Sequence, residues 1–185
     1  RPIAEKVADR ERLSATDGIT LFRSPDLLAL GMMADAVNRA RHGDQVTFAA
    51  NQHINPTDVC YLRKTCVFCS FARLPKESGA YRYSLDEVWA EAESAADGVT
   101  REFHIVGGLD MHAGLEYYAT IFRGLKERHP RVHIKALTAV EIAHIARIDR
   151  MSIEAVLTGL RAAGLDTLPG GGAEVFGKGV RMTIA

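Results

Sequence analysis

Glu102-Phe103-His104-Ile105-Val106-Gly107-Gly108, then Tyr118, Ile121, Phe122 and Leu125, then Val132-His133-Ile134-Lys135-Ala136-Leu137, decide the fold of this chain. A short aromatic and β-branched run closed by two glycines reads as a strand. Apolar residues three and four apart, stopped at Pro130, read as a helix. Strand, helix, strand is the unit of a parallel sheet with right-handed crossovers. The pattern extends both ways. Upstream, Val46-Thr47-Phe48-Ala49-Ala50 predicts a strand. Ser84 and Glu87 form a capping box, each side chain satisfying the other residue's backbone N–H, and open a helix with Leu85, Val88, Trp89, Ala92 and Ala96 on one face and Gly98 at its end. Downstream, Thr138 and Glu141 form a second capping box before Ile142 and Ile145. Ser152 starts a helix that buries Ile153, Val156, Leu157 and Leu160 and ends at Gly164. Leu165-Asp166-Thr167-Leu168 predicts a short strand before Pro169-Gly170-Gly171-Gly172. That makes an α/β protein with about four parallel strands and helices outside. A closed eight-stranded barrel needs ~250 residues, and the chain has 185. The expectation is a partial (β/α) barrel, or an open sheet.

Ahead of this lies an N-terminal helical segment. Ile3, Val7 and Leu13 predict a helix over residues 2–13, broken by Ser14-Ala15-Thr16-Asp17-Gly18. A second helix is expected from Asp26 to Arg41, ended by Gly43. The organisation is therefore residues 1–44, helical, and residues 45–185, the front half of a barrel in a chain that reads as truncated. Lys and Arg number 23, as do Asp and Glu, so nothing electrostatic draws the chain to nucleic acid or an anionic membrane. No apolar run approaches the ~20 residues of a membrane span. Arg1-Pro2-Ile3-Ala4-Glu5-Lys6 lacks the apolar centre of a secretory signal, and a cytoplasmic location is the expectation.

In parallel α/β folds, active sites collect at the carboxyl ends of the strands. Four segments fall there: Cys60 to Cys69, Gly107-Gly108-Leu109-Asp110, Thr138, and Gly170-Gly171-Gly172-Ala173-Glu174. The chain's three cysteines, Cys60, Cys66 and Cys69, all lie within ten residues. Such bunching argues for metal or redox chemistry over a disulfide framework. Three thiolates on a four-iron cluster leave one iron open to a small molecule. On spacing alone a structural zinc remains the rival, with His53 as fourth ligand, and so does a plain set of buried thiols. Arg63-Lys64 favours thiolates. Gly107-Gly108 suits close backbone approach, though a turn explains it equally. His104 and His133 fall within strands, His53 and His112 in loops, and none is given a proton-transfer role.

Asn51-Gln52-His53-Ile54-Asn55-Pro56-Thr57-Asp58-Val59-Cys60, followed by Cys66-Val67-Phe68-Cys69-Ser70-Phe71, resembles the cluster loop of radical S-adenosylmethionine enzymes. Phe103 to Gly108, His133 to Ile142 and Gly164 to Phe176 narrow the resemblance to the futalosine branch of menaquinone biosynthesis, and within it to the aminofutalosine synthases. The later cyclase of that branch, dehypoxanthine futalosine cyclase, and the deazaflavin FO synthase subunits share the scaffold. The FO synthases resemble the chain less at Lys135-Ala136-Leu137-Thr138-Ala139 and at Gly170-Gly171-Gly172-Ala173-Glu174, and the cyclase less at Val106-Gly107-Gly108. A non-catalytic zinc-binding module is the alternative from another class.

The resemblance implies that Cys60, Cys66 and Cys69 ligate a [4Fe-4S] cluster whose open iron binds S-adenosylmethionine. It sets Phe68 against the adenine and Gly107 and Gly108 along the methionyl part, with Thr138 and Glu174 as polar contacts. It implies the 5′-deoxyadenosyl radical, its addition to 3-[(1-carboxyvinyl)oxy]benzoate, and aminofutalosine as product. The implied partners are that small-molecule substrate and an electron donor such as flavodoxin or ferredoxin. Arg73, Arg101 and Lys135 are unranked candidates for the substrate's carboxylates. The family pattern has three residues between the first two cysteines, and this chain has five, Tyr61 to Thr65. The added closure entropy is less than about 1 kcal/mol.

Overall fold

Ser14 and Asp17 open a helix rather than break one. The computed structural model describes residues 2–93, 98–171 and 175–184 and divides into two compact units, Arg1–Phe48 and Ala49–Ala185. In the first unit, α1 (Ile3–Ala8) stops early, and Arg10 takes a positive φ of 58°. Ser14 Oγ then accepts from Asp17 N at 3.1 Å while Asp17 Oδ2 accepts from Ser14 N at 2.9 Å, the capping box of α2 (Ala15–Arg23). Gly18 lies inside that helix, so a stretch that reads as punctuation is a start signal. Lys6 Nζ reaches Asp17 at 2.9 Å. That bond, with those from Ser14, lowers the Asp17 carboxyl to about 2. α3 (Leu27–His42) starts where Asp26 accepts from Ala29 N at 2.9 Å and ends at Gly43, as expected.

The second unit is built on β1 (Asn51–Ile54), followed by a 3-10 turn (Tyr61–Lys64), α4 (Leu85–Glu93), β2 (Glu102–Ile105), α5 (Leu115–Arg128), β3 (His133–Ala136), α6 (Ala139–Ile148), α7 (Ile153–Ala162) and α8 (Lys178–Ile184). The strands are parallel in the order β1-β2-β3. The first strand begins later than its β-branched residues suggest. Pairing starts at Asn51 opposite Glu102, while Val46 and Phe48 stay exposed outside the ladder. A strand exists where a partner exists, whatever its propensity. The expected fourth strand is one parallel bridge, Lys135 to Thr167, with Ala136 N donating to Thr167 O at 3.0 Å. α8 is an element beyond those expected. Ala96 and Gly172 lie outside the described residues.

Alternation along the strands sorts the two sheet faces. Ile54, Phe103, Ile105, Ile134 and Ala136 are fully buried, in one cluster with Val88 of α4, Ile121, Phe122 and Leu125 of α5, Ile142 and Ile145 of α6, and Val156 and Leu160 of α7. Each large side chain so removed from water contributes roughly 1.5–3 kcal/mol. The opposite face carries Asn51, His53, Glu102, His104, His133 and Lys135, none fully buried. Both expected capping boxes of this unit are present. Ser84 N donates to Glu87 Oε2 at 2.7 Å and Thr138 N to Glu141 Oε2 at 2.7 Å.

Candidate active site

The exit of β1 is pinned by the chain that returns after the cysteines. Thr57 Oγ1 donates to Tyr81 O at 2.9 Å and accepts from Val59 N at 3.1 Å. Asp58 accepts from Tyr81 N at 2.8 Å and from Arg73 Nη1 at 2.9 Å. Cys60 N donates to Arg73 O at 2.8 Å. Arg73, a sequence candidate for a substrate carboxylate, is thus engaged with Asp58. Beyond Cys60 the extra residues are absorbed by the 3-10 turn, closed where Cys66 N donates to Leu62 O at 2.9 Å. Tyr61 anchors the turn. Its ring stacks on His144 of α6 with centroids 5.2 Å apart, and the Arg147 guanidinium sits 4.8 Å from its centroid. The buried His144 is itself held by Asp110 O, 3.0 Å from Nε2.

Cys60, Cys66 and Cys69 are free thiols, the first two half-buried and Cys69 exposed. Val67, Phe68 and Phe71 around them are exposed. Among the described residues no three His, Cys, Asp or Glu side chains are gathered to hold a metal ion. The loop therefore supplies the donors without yet converging them.

Gly107 and Gly108 end β2 against that loop. Gly108 N donates to Thr57 O at 2.8 Å. A Cβ on Gly108 would fall 2.2 Å from Val59 O, and one on Gly107 would fall 3.0 Å from Thr57 O. No side chain fits at Gly108 and one at Gly107 would press on Thr57, so the pair first serves to let two strand exits touch. Gly107 N donates to Glu141 Oε1 at 2.9 Å. With both N–H groups engaged, a ligand here meets carbonyls and Cα faces. Two residues on, the buried Asp110 accepts Arg82 Nη2 at 2.7 Å and His112 N at 3.0 Å, and Arg82 Nε contacts its other oxygen. Burial pushes the Asp110 carboxyl up, but the bonds from Arg82 and His112 outweigh it and leave it below the ordinary value.

At the exit of β3, buried Leu137 turns the chain with φ 64°. Thr138 follows, but its hydroxyl donates to Glu141 Oε2 at 2.8 Å, so its side chain serves the helix. Glu141, read from sequence as a cap alone, also binds Gly107 N and thereby ties β2 to β3. Burial raises its carboxyl, against the lowering bonds from Thr138 and Gly107. An acid five residues past a strand end was the available signal. Phe68 is half-exposed on the cysteine loop. Gly170 and Gly171 take positive φ, and Glu174 lies outside the described residues.

Below this rim the polar sheet face forms its own contacts. His53 and His104, register partners, meet edge to face at 4.8 Å. Lys135 Nζ pairs with Glu102 Oε1 at 2.6 Å. His133 Nε2 lies 2.8 Å from Thr167 Oγ1. Burial, then His53 and Lys135, lower the His104 imidazole below its ordinary value.

No family model matches the chain. It is 40% identical over 184 residues to the aminodeoxyfutalosine synthase of Thermus thermophilus, covering 100% of this chain and 49% of that protein. It is 41% identical to the aminodeoxyfutalosine synthase of Streptomyces coelicolor, covering 100% of this chain and 47% of the relative. Identity is lower, 36%, to an FO synthase of Mycobacterium tuberculosis, with 98% of this chain and 21% of the relative covered. The chain spans about half the length of the aminodeoxyfutalosine synthases it matches. Among solved structures, methylornithine synthase superposes with a TM-score of 0.71 at 18% identity, covering 99% of this chain and 50% of that one. That likeness shows the fold. No helix among the described residues is long and apolar enough to cross a membrane. Over its whole length this chain is thus a homologue of the aminodeoxyfutalosine synthases, with an α/β fold shared by half of methylornithine synthase.

Proposed function

We propose that this chain is the front half of the barrel, residues 45–185 behind a helical segment 1–44, of a cytoplasmic enzyme that makes aminofutalosine from S-adenosylmethionine and 3-[(1-carboxyvinyl)oxy]benzoate for menaquinone biosynthesis. The observation that carries the reading is 40% identity over the whole chain to proteins named for that product, with three free thiols on the rim where such chemistry sits. FO synthase and cyclic dehypoxanthine futalosine synthase are less similar, at 36% and 30%.

The donor chemistry suits an iron–sulfur cluster. Cys60, Cys66 and Cys69 are free thiols on one loop, and cysteine sulfurs are the usual ligands of such a cluster. The base of their loop is pinned through Thr57, Asp58 and Arg73, and its exposed tip from Val67 to Phe71 is the part that has to close to bring the sulfurs together. In this reading the three cysteines hold a [4Fe-4S] cluster, Phe68 covers the adenine of S-adenosylmethionine, and Gly107 and Gly108 present carbonyls and an unobstructed surface to its methionyl part. Thr138 acts through its place in the cap with Glu141, and Glu174 remains a polar contact. The bound cluster and S-adenosylmethionine supply a 5′-deoxyadenosyl radical when a flavodoxin or ferredoxin delivers an electron. The protein's share is to orient substrate and exclude water as the loop's apolar tip folds inward.

Anaerobic reconstitution with iron and sulfide should give a brown protein that cleaves S-adenosylmethionine and, with the carboxyvinyloxy benzoate, yields aminofutalosine by mass. A colourless protein that takes up one zinc and cleaves nothing would overturn the proposal.

A further inference from the structure

The polar sheet face is out of keeping with an ordinary parallel sheet. Such sheets are covered on both sides and read as apolar runs, and barrel interiors are filled chiefly by branched aliphatic side chains. Here the face opposite the helices holds, at one level, His53, His104 and Lys135 as register neighbours, and at the next, Asn51, Glu102 and His133. A wall of imidazole, ammonium and amide groups suits a polar small molecule far better than a packed core.

Charge says which kind. Among the described strand residues on this face, Lys135 alone carries a full positive charge, and an ammonium has three donors. Glu102 Oε1 lies 2.6 Å from it as an ion-pair partner without meeting hydrogen-bond geometry. His104, held toward the neutral form by burial and by its cationic and imidazole neighbours, is a hydrogen-bonding group at the same level. We propose that Lys135, with His104 and His53 beside it, is the subsite for a carboxylate of the substrate, and that Glu102 competes with that carboxylate for the ammonium. This rests on the function proposed above. It selects Lys135 over Arg73, which Asp58 engages, and over Arg101, which donates to the Gly98 and Thr100 carbonyls.

The sign of two substitutions tests it. The probe is 3-methoxybenzoate, an unreactive aryl carboxylate, and its dissociation constant is measured calorimetrically on the reconstituted chain. Lys135→Met should weaken binding by about tenfold or more, the scale of a lost hydrogen bond to a charged group. Glu102→Gln should tighten binding several-fold, because it frees the ammonium. A merely structural ion pair predicts weakening in both variants, and that result, no change in either, or no binding by the unsubstituted chain would overturn the subsite. Should Lys135→Met fail to fold, Glu102→Gln decides alone. Iron content and S-adenosylmethionine cleavage are read in parallel without the probe. If they fail in the unsubstituted chain while the two variants still shift probe binding in opposite directions, the proposed function falls and the carboxylate subsite stands.

Discussion

Gly108 and Asp110 show how little freedom the rim has at single positions. Gly108→Ala must move the backbone, since the new methyl would meet Val59 O at 2.2 Å. A loss of roughly 1–3 kcal/mol is expected, read as a lower thermal midpoint together with poorer iron uptake by the adjoining loop. Asp110 makes a pH prediction. Its folded-state carboxyl lies below the ordinary value, so its contribution is present above the unfolded value of about 3.9 and is lost as pH falls. Asp110→Asn should therefore cost roughly 2–3 kcal/mol at neutral pH, a buried pair discounted because the Arg82 side chain is 33% exposed. It should also flatten the acid limb of the stability curve measured by denaturant titration between pH 2 and pH 5. A variant with an unchanged acid limb would show that the Arg82 clamp adds nothing. These roles were half legible. The sequence marks Gly107-Gly108 as a place of close approach but cannot say that Val59 and Thr57 approach it. It reads Glu141 as a cap and is silent on the bond to Gly107, made across 34 residues.

Tyr61–Lys64 is the element that accommodates the departure in cysteine spacing. The 3-10 turn shortens the path between Cys60 and Cys66, and Tyr61 docks it against His144 and Arg147. Tyr61→Ala should loosen the turn without unfolding the core. The expected result is faster hydrogen exchange over residues 61–66 and quicker loss of iron to a chelator, with exchange in α5 unchanged. Protection at 61–66 equal to that of the unsubstituted chain would show that the stack does not hold the turn. The reason some elements were readable is local. Capping boxes at Ser84 and Thr138 are three-residue signals, complete in themselves. The box at Ser14 was missed because Gly18 stands beside it and reads as a breaker. The start of β1 is set by Glu102, about fifty positions away, and no window of sequence contains both. The bridge at Thr167 is a strand in pattern, but only one of its residues finds a ladder partner.

For the second unit as a whole, one apolar cluster carries stability and a ring of polar bonds carries the site. Phe122, fully buried in α5, belongs to that cluster. Phe122→Ala should cost about 3–5 kcal/mol, seen as a shifted urea midpoint at unchanged slope, and a loss under about 1 kcal/mol would mean the core collapses around the gap. The α/β architecture was legible because alternating periodicities repeat along the chain. What holds the cysteine loop was not, since Thr57 to Tyr81 and Arg82 to Asp110 are side-chain bonds spanning 24 and 28 residues. That reach has a practical corollary. A synthetic peptide copying residues 51–75 would lack Tyr81 and Asp110 and the β2 end that seats it, and it would wander as a coil. Grafting the cysteine triad onto another scaffold therefore means transplanting the strand exits with it, because the motif inherits its shape from its neighbours.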